Sequence, residues 1–96
     1  MSGHGASRAV GPVLEANEVG HAIAAAIKAR DPDATIIDRG AYLRVSCDGI
    51  CVLERSRVEA LLSREFELPG ALEQVMPSFA GRIALERDSV TWRCDA

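Results

Sequence analysis

Three cysteines, two histidines and a few close-set carboxylates are the residues of this chain whose types could do chemistry. Cys47 and Cys51 are near enough in sequence to suggest a disulfide or half of a metal site. The Asp48-Gly49 pair between them is a strong two-residue hairpin signal, which would set Cys47 opposite Ile50 and Ser46 opposite Cys51. Adjacent strand residues point to opposite faces, so the two thiols are expected to project apart and neither bridge nor chelate. An odd number of cysteines also argues against a secreted disulfide framework. His4 falls in a small-residue leader, and His21 reads as a solvated residue of the first helix. Neither has a Cys, His or carboxylate partner at metal-ligand spacing. Glu15/Glu18 and Glu65/Glu67 read as solvated faces, and no Gly-rich phosphate loop joins a strand to a helix. No nucleophile with a base, carboxylate dyad, metal cluster or cofactor loop emerges, so an enzyme acting by itself is not expected.

The pattern around these residues predicts how they are held. Met1 to Ala9 is expected to be a mobile tail, and 10–96 a single domain. Val10 to Ala16 carries Val13-Leu14, with Pro12 better suited to an edge strand. Asn17 is a helix cap with Glu18 in the positive first turn, and Val19, Ile23, Ala26 and Ile27 recur at helical spacing. Asp31-Pro32 ends that helix, because the residue before proline is pushed out of the α region. Thr35-Ile36-Ile37 reads as a strand, and Leu43, Val45 and Cys47 alternate with Tyr42, Arg44 and Ser46 in the next. Ile50 and Val52 continue beyond the Asp48-Gly49 turn. Ser56-Arg57-Val58-Glu59 has capping-box spacing ahead of a short helix with Val58, Leu61 and Leu62. Ala71 to Met76 supplies a further turn or two before Pro77. Arg82 to Cys94 pairs as a hairpin around Arg87-Asp88, with Ile83 facing Trp92 and Leu85 facing Val90. The expected fold is α+β, a largely antiparallel β-sheet with two to three helices on one face, in the order β-α-β-β-β-α-(α)-β-β.

Charge and hydropathy narrow the partners. Eleven Lys+Arg against 14 Asp+Glu give a net charge of −3, and there is one lysine. An acidic domain without a basic run is a poor fit to nucleic acid or an anionic membrane. The longest apolar run, Ala22 to Ile27, is far short of a membrane span, and Met1 to Arg8 has no apolar signal region. A cytoplasmic protein is expected. The unusual segment is Pro77-Ser78-Phe79-Ala80-Gly81, expected as an irregular stretch. A Phe between small residues either plugs the core or presents an apolar tip of the kind that fills a partner's pocket.

At these residues the sequence resembles the coupling, or effector, proteins of bacterial multicomponent diiron monooxygenases. Val10-Gly11-Pro12-Val13-Leu14 is similar to the family's opening strand, and Asp31-Pro32 stands where the family has Asn-Pro. Asp38-Arg39-Gly40-Ala41-Tyr42-Leu43-Arg44-Val45 matches an Asp-Arg-x-x-Tyr strand pair. Leu61-Leu62-Ser63-Arg64-Glu65-Phe66 resembles a Leu-Gly-Arg-x-Phe helix end, and Ser78-Phe79-Ala80-Gly81-Arg82-Ile83 the approach to the final hairpin. The short leader and the Phe-Ala-Gly segment look most like the toluene and alkene branch. Two departures are Asp31 for the usual Asn and Ser63 for the usual Gly, the latter loosening a helix cap.

The resemblance implies a cofactor-free protein that docks on a diiron hydroxylase, working alongside a reductase and a Rieske ferredoxin, and ties electron transfer and O₂ activation to substrate oxidation. It also implies contact residues at Asp31 and Pro32 and along Met76, Pro77, Ser78, Phe79, Ala80, Gly81 and Arg82. The competing reading is a small-ligand regulatory domain of similar build, suggested by the acidic charge and the helix-covered sheet.

Overall fold

The computed structural model describes residues 8–94 of the chain. Residues 1–7 of the expected tail, with His4, lie outside the described residues, as do Asp95 and Ala96, whereas Ala9, expected in the tail, is the first residue of a strand and pairs with Asp48. Strand β1 (Ala9–Glu15) leads into helix α1 (Glu18–Arg30). Asn17 caps α1 as expected, its Oδ1 accepting from the Gly20 amide at 2.8 Å. Glu18 sits in the first turn and Lys28 and Arg30 in the last, complementing the helix dipole at both ends. Ala22, Ile23, Ala24, Ala26 and Ile27 are buried, and Asp31, with extended backbone, closes the helix ahead of Pro32.

Strands β2 (Thr35–Asp38), β3 (Tyr42–Asp48) and β4 (Ile50–Glu54) follow, then helices α2 (Arg55–Leu62) and α3 (Gly70–Glu73). Strands β5 (Ser78–Ala80), β6 (Arg82–Leu85) and β7 (Ser89–Arg93) complete the order, which is the expected one with β5 added. The strands are antiparallel throughout and divide into two sheets, β2-β3-β1-β5 and β4-β7-β6. Helix α1 packs on β1, β3 and β4, and α2 packs on α1. The core between these layers holds Leu14, Ile23, Ile27, Leu43, Leu53, Leu72 and Trp92, each fully buried. The final hairpin has the expected register, with Ile83 opposite Trp92 and Leu85 opposite Val90, although Leu85 at the hairpin tip stays exposed.

Several local expectations give way to tertiary pairing. Asp48-Gly49 does not close a β3–β4 hairpin, because β3 pairs with β1 and β2 while β4 pairs with β7. Gly49 (φ +81°) instead carries the chain from one sheet to the other. Its amide donates to the Arg8 carbonyl at 2.8 Å and its carbonyl accepts from the Cys94 amide at 2.9 Å, so both sheets hold it. Pro12 is not on an edge: β1 lies between β3 and β5. The ladder to β3 skips Gly11 and Pro12 and resumes in the same register, from Val10↔Cys47 to Val13↔Arg44, so the missing proline amide falls in the gap. Nor does Ser56 start a capping box. Strand β4 runs directly into α2, with Glu54 at the cap position and Ser56 already in the first turn, and Glu59 accepts from the Phe66 amide at 3.0 Å. Val58 is buried and Leu62 half-buried as expected, but Leu61 is exposed.

Two backbone positions yield a paired prediction. Gly11 has φ +143°, and a Cβ there would lie 2.4 Å from the Val45 carbonyl oxygen. Ser63 ends α2 in the left-handed region at φ 59°, where a side chain costs about 1–2 kcal/mol. Gly11→Ala is therefore expected to destabilise by about 2–4 kcal/mol. Ser63→Gly should stabilise by about 0.5–1 kcal/mol, after the entropy of a freer unfolded chain is set against the relieved strain. Denaturant unfolding followed by the emission of the one tryptophan, Trp92, reads both.

Candidate functional site

The cysteines provide the first test of chemistry. Contrary to the hairpin expectation, Cys47 and Cys51 face each other in the core and their thiols are hydrogen-bonded. With no hairpin between β3 and β4, the opposite-face argument has no basis: the two residues lie on different sheets, and the interior side of each carries one thiol. Asp31 joins them, its carboxylate accepting from the Cys47 thiol and, at 3.1 Å, from the Asp33 amide. Burial pushes both thiols up from their ordinary value, and the neighbouring Asp31 charge adds to the shift. These are unionised thiols at neutral pH, poor as nucleophiles and as metal ligands. All three cysteines are free, and among the described residues no cluster of three or more His, Cys, Asp or Glu could hold a metal ion.

The remaining candidate groups are occupied or solvated. His21 is exposed on α1. Glu18 pairs with Arg64 at 3.1 Å, and Glu15 accepts from the Asn17 side-chain amide at 3.4 Å. Glu65 and Glu67 are exposed. Asp38 is a turn residue, its carboxylate accepting from the Gly40 amide at 2.8 Å. Among the described residues no helix is long and apolar enough to cross a membrane.

The surface holds more. The Pro77–Gly81 segment, expected to be irregular, contains the short strand β5, which pairs with β1 through Val13↔Ser78, Pro12↔Phe79 and Gly11↔Ala80. The signal for it was weak because three small residues flank one aromatic and the pairing is entirely non-local. Strand β5 is an edge of its sheet, so Phe79 is left 43% exposed and is not a core plug. Met76 and Ala80 are half-buried, while Pro77, Ser78, Gly81 and Arg82 are exposed. Gly81 (φ +102°) turns the chain from β5 into β6, and a Cβ there would meet the Arg93 carbonyl oxygen and Val10 Cγ1, both at 2.8 Å.

Asp31 and Pro32 lie elsewhere. They precede β2, the opposite edge of the same sheet, so the fold does not gather all the expected contact residues into one patch. Pro32 is exposed, whereas the Asp31 carboxylate turns inward to Cys47. A row that sequence reasoning missed links the two edges. Ile37, Arg44, Val13 and Ser78 are successive partners across all four strands, on the face away from Leu43 and Val45. Ile37 and the nearby Tyr42 are exposed. The alternation in β3 indicated this outer face, but only the strand order reveals which residues share it.

The arrangement is that of a small α+β domain with muted thiols, solvated carboxylates, and apolar side chains displayed at sheet edges and outer faces. Its sequence matches the profile of the MmoB/DmpM family over residues 8–93, and the chain belongs to that family. It is 36% identical over 85 residues to the effector subunit of the alkene monooxygenase system of Xanthobacter autotrophicus (strain ATCC BAA-1158 / Py2), an alignment spanning 86% of this chain and 83% of that protein. Two solved phenol hydroxylase–regulatory protein complexes contain chains of the same fold. One superposes with TM-score 0.81 at 22% identity, covering 91% of this chain and 99% of the other. The second gives 0.75 at 24% identity, covering 88% and 98%.

The buried thiol pair makes a prediction in pH. An acid whose folded pKa is raised stabilises the fold below its unfolded pKa, about 8.5 for a thiol, and that contribution is lost as pH climbs toward the folded value. The unfolding midpoint of the protein is expected to drop as pH rises from 8 through 10, and to drop less steeply in Cys47→Ala/Cys51→Ala. In the native state an aromatic disulfide reagent should label half-buried Cys94 well before the other two.

Proposed function

We propose that this protein is the effector, or coupling, component of a multicomponent diiron monooxygenase that oxidises an alkene or aromatic hydrocarbon. It binds the hydroxylase component and ties electron delivery and O₂ activation to substrate oxidation, itself holding no cofactor and catalysing no step. It works in the cytoplasm beside a reductase and a Rieske ferredoxin. The observation that carries this reading is the 36% identity to an alkene monooxygenase effector subunit across most of both chains. The surface supports it, because a regulator of this kind needs shape and displayed side chains and has no use for reactive groups.

A binding protein shifts a partner's conformational equilibrium only by its differential affinity for the two states. The work of this protein is therefore done by surface that fits the active hydroxylase better than the resting one. A standard interface takes about 800 Å² from each partner, roughly a seventh of the 5563 Å² here. Within that area we assign the centre to Met76 through Arg82, with Phe79 as the apolar anchor on β5 and Pro32 as a second contact near the opposite edge.

Reconstituting the cognate hydroxylase with its electron-transfer proteins, with and without this chain, tests the reading. Hydrocarbon oxidised per NADH consumed is expected to rise on roughly stoichiometric addition, and an unchanged ratio would overturn it. In the same assay Phe79→Ala should lower the ratio. Its stability should change by about 1 kcal/mol or less, well below the roughly 3–5 kcal/mol cost of truncating a core Phe. Full coupling combined with a core-sized stability loss would remove Phe79 from the contact.

A further inference from the structure

The outer face of the four-stranded sheet sets an unmatched cation among apolar side chains. Arg44 stands mid-strand on β3, with Ile37 of β2 opposite it on one side and Val13 of β1 on the other. Tyr42 shares that face of β3, while Leu43, Val45 and Cys47 point to the core. Ile37, Tyr42 and Arg44 are all exposed, so α1, α2 and α3 leave them uncovered. Arg8, Arg30, Arg55, Arg57 and Arg64 each meet a carboxylate. Arg44 makes no ion pair or side-chain hydrogen bond among the described residues. The carboxylates that alternation places on its face of β1 and β3 are committed elsewhere: Glu15 accepts from the Asn17 side-chain amide at 3.4 Å, and Asp48 pairs with Arg8 at 3.1 Å.

An arginine on a solvated sheet face is ordinary, and so is a single exposed apolar residue. Their association is more telling. Directly opposed antiparallel residues have Cβ atoms about 5 Å apart, so Ile37 and Val13 flank the aliphatic stem of Arg44 and leave its guanidinium in water. Tyrosine and arginine are also side chains that protein interfaces concentrate at their centres. Neighbouring strands lie about 4.8 Å apart, so the face spans roughly 15 Å from β2 to β5. Its two edges are those assigned above to the hydroxylase, near Pro32 and at Ser78, and a partner touching both passes over Arg44. A guanidinium presents a planar fork that matches a carboxylate with two parallel hydrogen bonds. With the carboxylates of its own face engaged, the complementary group for Arg44 is one that the partner supplies.

We propose that the hydroxylase lies across the outer face of the four-stranded sheet and presents a carboxylate to Arg44, with Ile37 and Tyr42 as the apolar contacts around that pair. The proposal rests on the effector reading. Closing the apolar contacts excludes water from the ion pair, which strengthens it in the complex and fixes the register of docking.

Binding of Arg44→Gln, Ile37→Thr and, as a control at the β6–β7 hairpin tip, Arg87→Gln to the cognate hydroxylase would be measured by calorimetry at about 50 and 250 mM salt. Arg44→Gln is expected to bind about tenfold more weakly at low salt, with a shallower salt dependence and an unchanged melting temperature. Ile37→Thr should lose about fivefold and keep the parent's salt dependence. Arg87→Gln, with the same change of charge, should bind within about twofold of the parent. Wild-type affinity in either face variant, beside normal binding by the parent, would overturn this proposal and leave the effector reading intact. Weakened binding accompanied by a lowered melting temperature would assign the residues to the fold and overturn it too. Sedimentation of the protein alone supplies a further check: a dimer that both face variants dissolve would give the face to a second copy, against the proposal. If the parent protein fails to bind the hydroxylase, the effector reading falls and the proposal with it.

Discussion

The absence of a side chain at Gly11 holds this domain together. There β1 passes so near the Val45 carbonyl that a Cβ would sit 2.4 Å from its oxygen, and the same imagined atom would lie 3.5 Å from Cys51 Sγ on the other sheet. One short strand thus meets β3 and β5 within its own sheet and packs against β4 and β7 of the second. Pro12 follows at once and is tolerated in a sheet interior only because the ladder to β3 already has a gap at this point. Relaxing that close approach would separate the sheets and remove the support beneath β5, the element that displays Phe79.

The passage from one sheet to the other obeys the same constraint from the other direction. Gly81 takes the chain from β5 to β6 against Val10 and the Arg93 carbonyl, so the passage between sheets is pinned to the strand beside Gly11. Gly49 makes another crossing, from β3 to β4, hydrogen-bonded to a residue before β1 and to one after β7. The two direct strand-to-strand transfers between sheets, at Gly49 and Gly81, both occur at glycines with positive φ. The exposed segment from Ser78 to Arg82 is consequently held by backbone bonds and close packing at both ends. Such restraint lowers the entropy lost when a surface loop docks on a partner.

Where the sequence was legible, the determining interaction lay within a few residues. Asn17 caps α1 because its side chain reaches an amide three positions on, and Asp31-Pro32 ends it through a steric rule between neighbours. The β6–β7 register could be read because the turn is tight and the apolar residues alternate cleanly on both arms. The failures share the opposite cause. Asp48-Gly49 has the local chemistry of a hairpin, but its flanking strands find better partners in β1 and β7. The same misplacement sent Cys47 and Cys51 to opposite faces on paper, whereas the fold sets them in contact. The membership of each sheet is a long-range property, so the outer row from Ile37 to Ser78 could not be read from local pattern. For the family segments the residues were recognisable, but their separation onto opposite edges of one sheet was not.

A domain of this size that acts by binding must divide its surface between self-assembly and display. Its single core is small, so every exposed apolar group subtracts from a modest stability. Phe79 and Ile50 forgo burial at positions that the Gly81 turn, packed on the Arg93 carbonyl, and the pairing of Ile50 with Arg93 bring to one region. Departures from folding preference that cluster at a single place indicate function more strongly than scattered ones, since isolated exposed apolar residues are ordinary on any surface. The buried thiols make the contrast: they are chemically the most capable groups in the chain, yet desolvation and a neighbouring carboxylate suppress their ionisation. The fold thus quiets reactivity inside while displaying apolar groups outside. Partner contact at the exposed Phe79 would recover apolar burial that the isolated domain gives up.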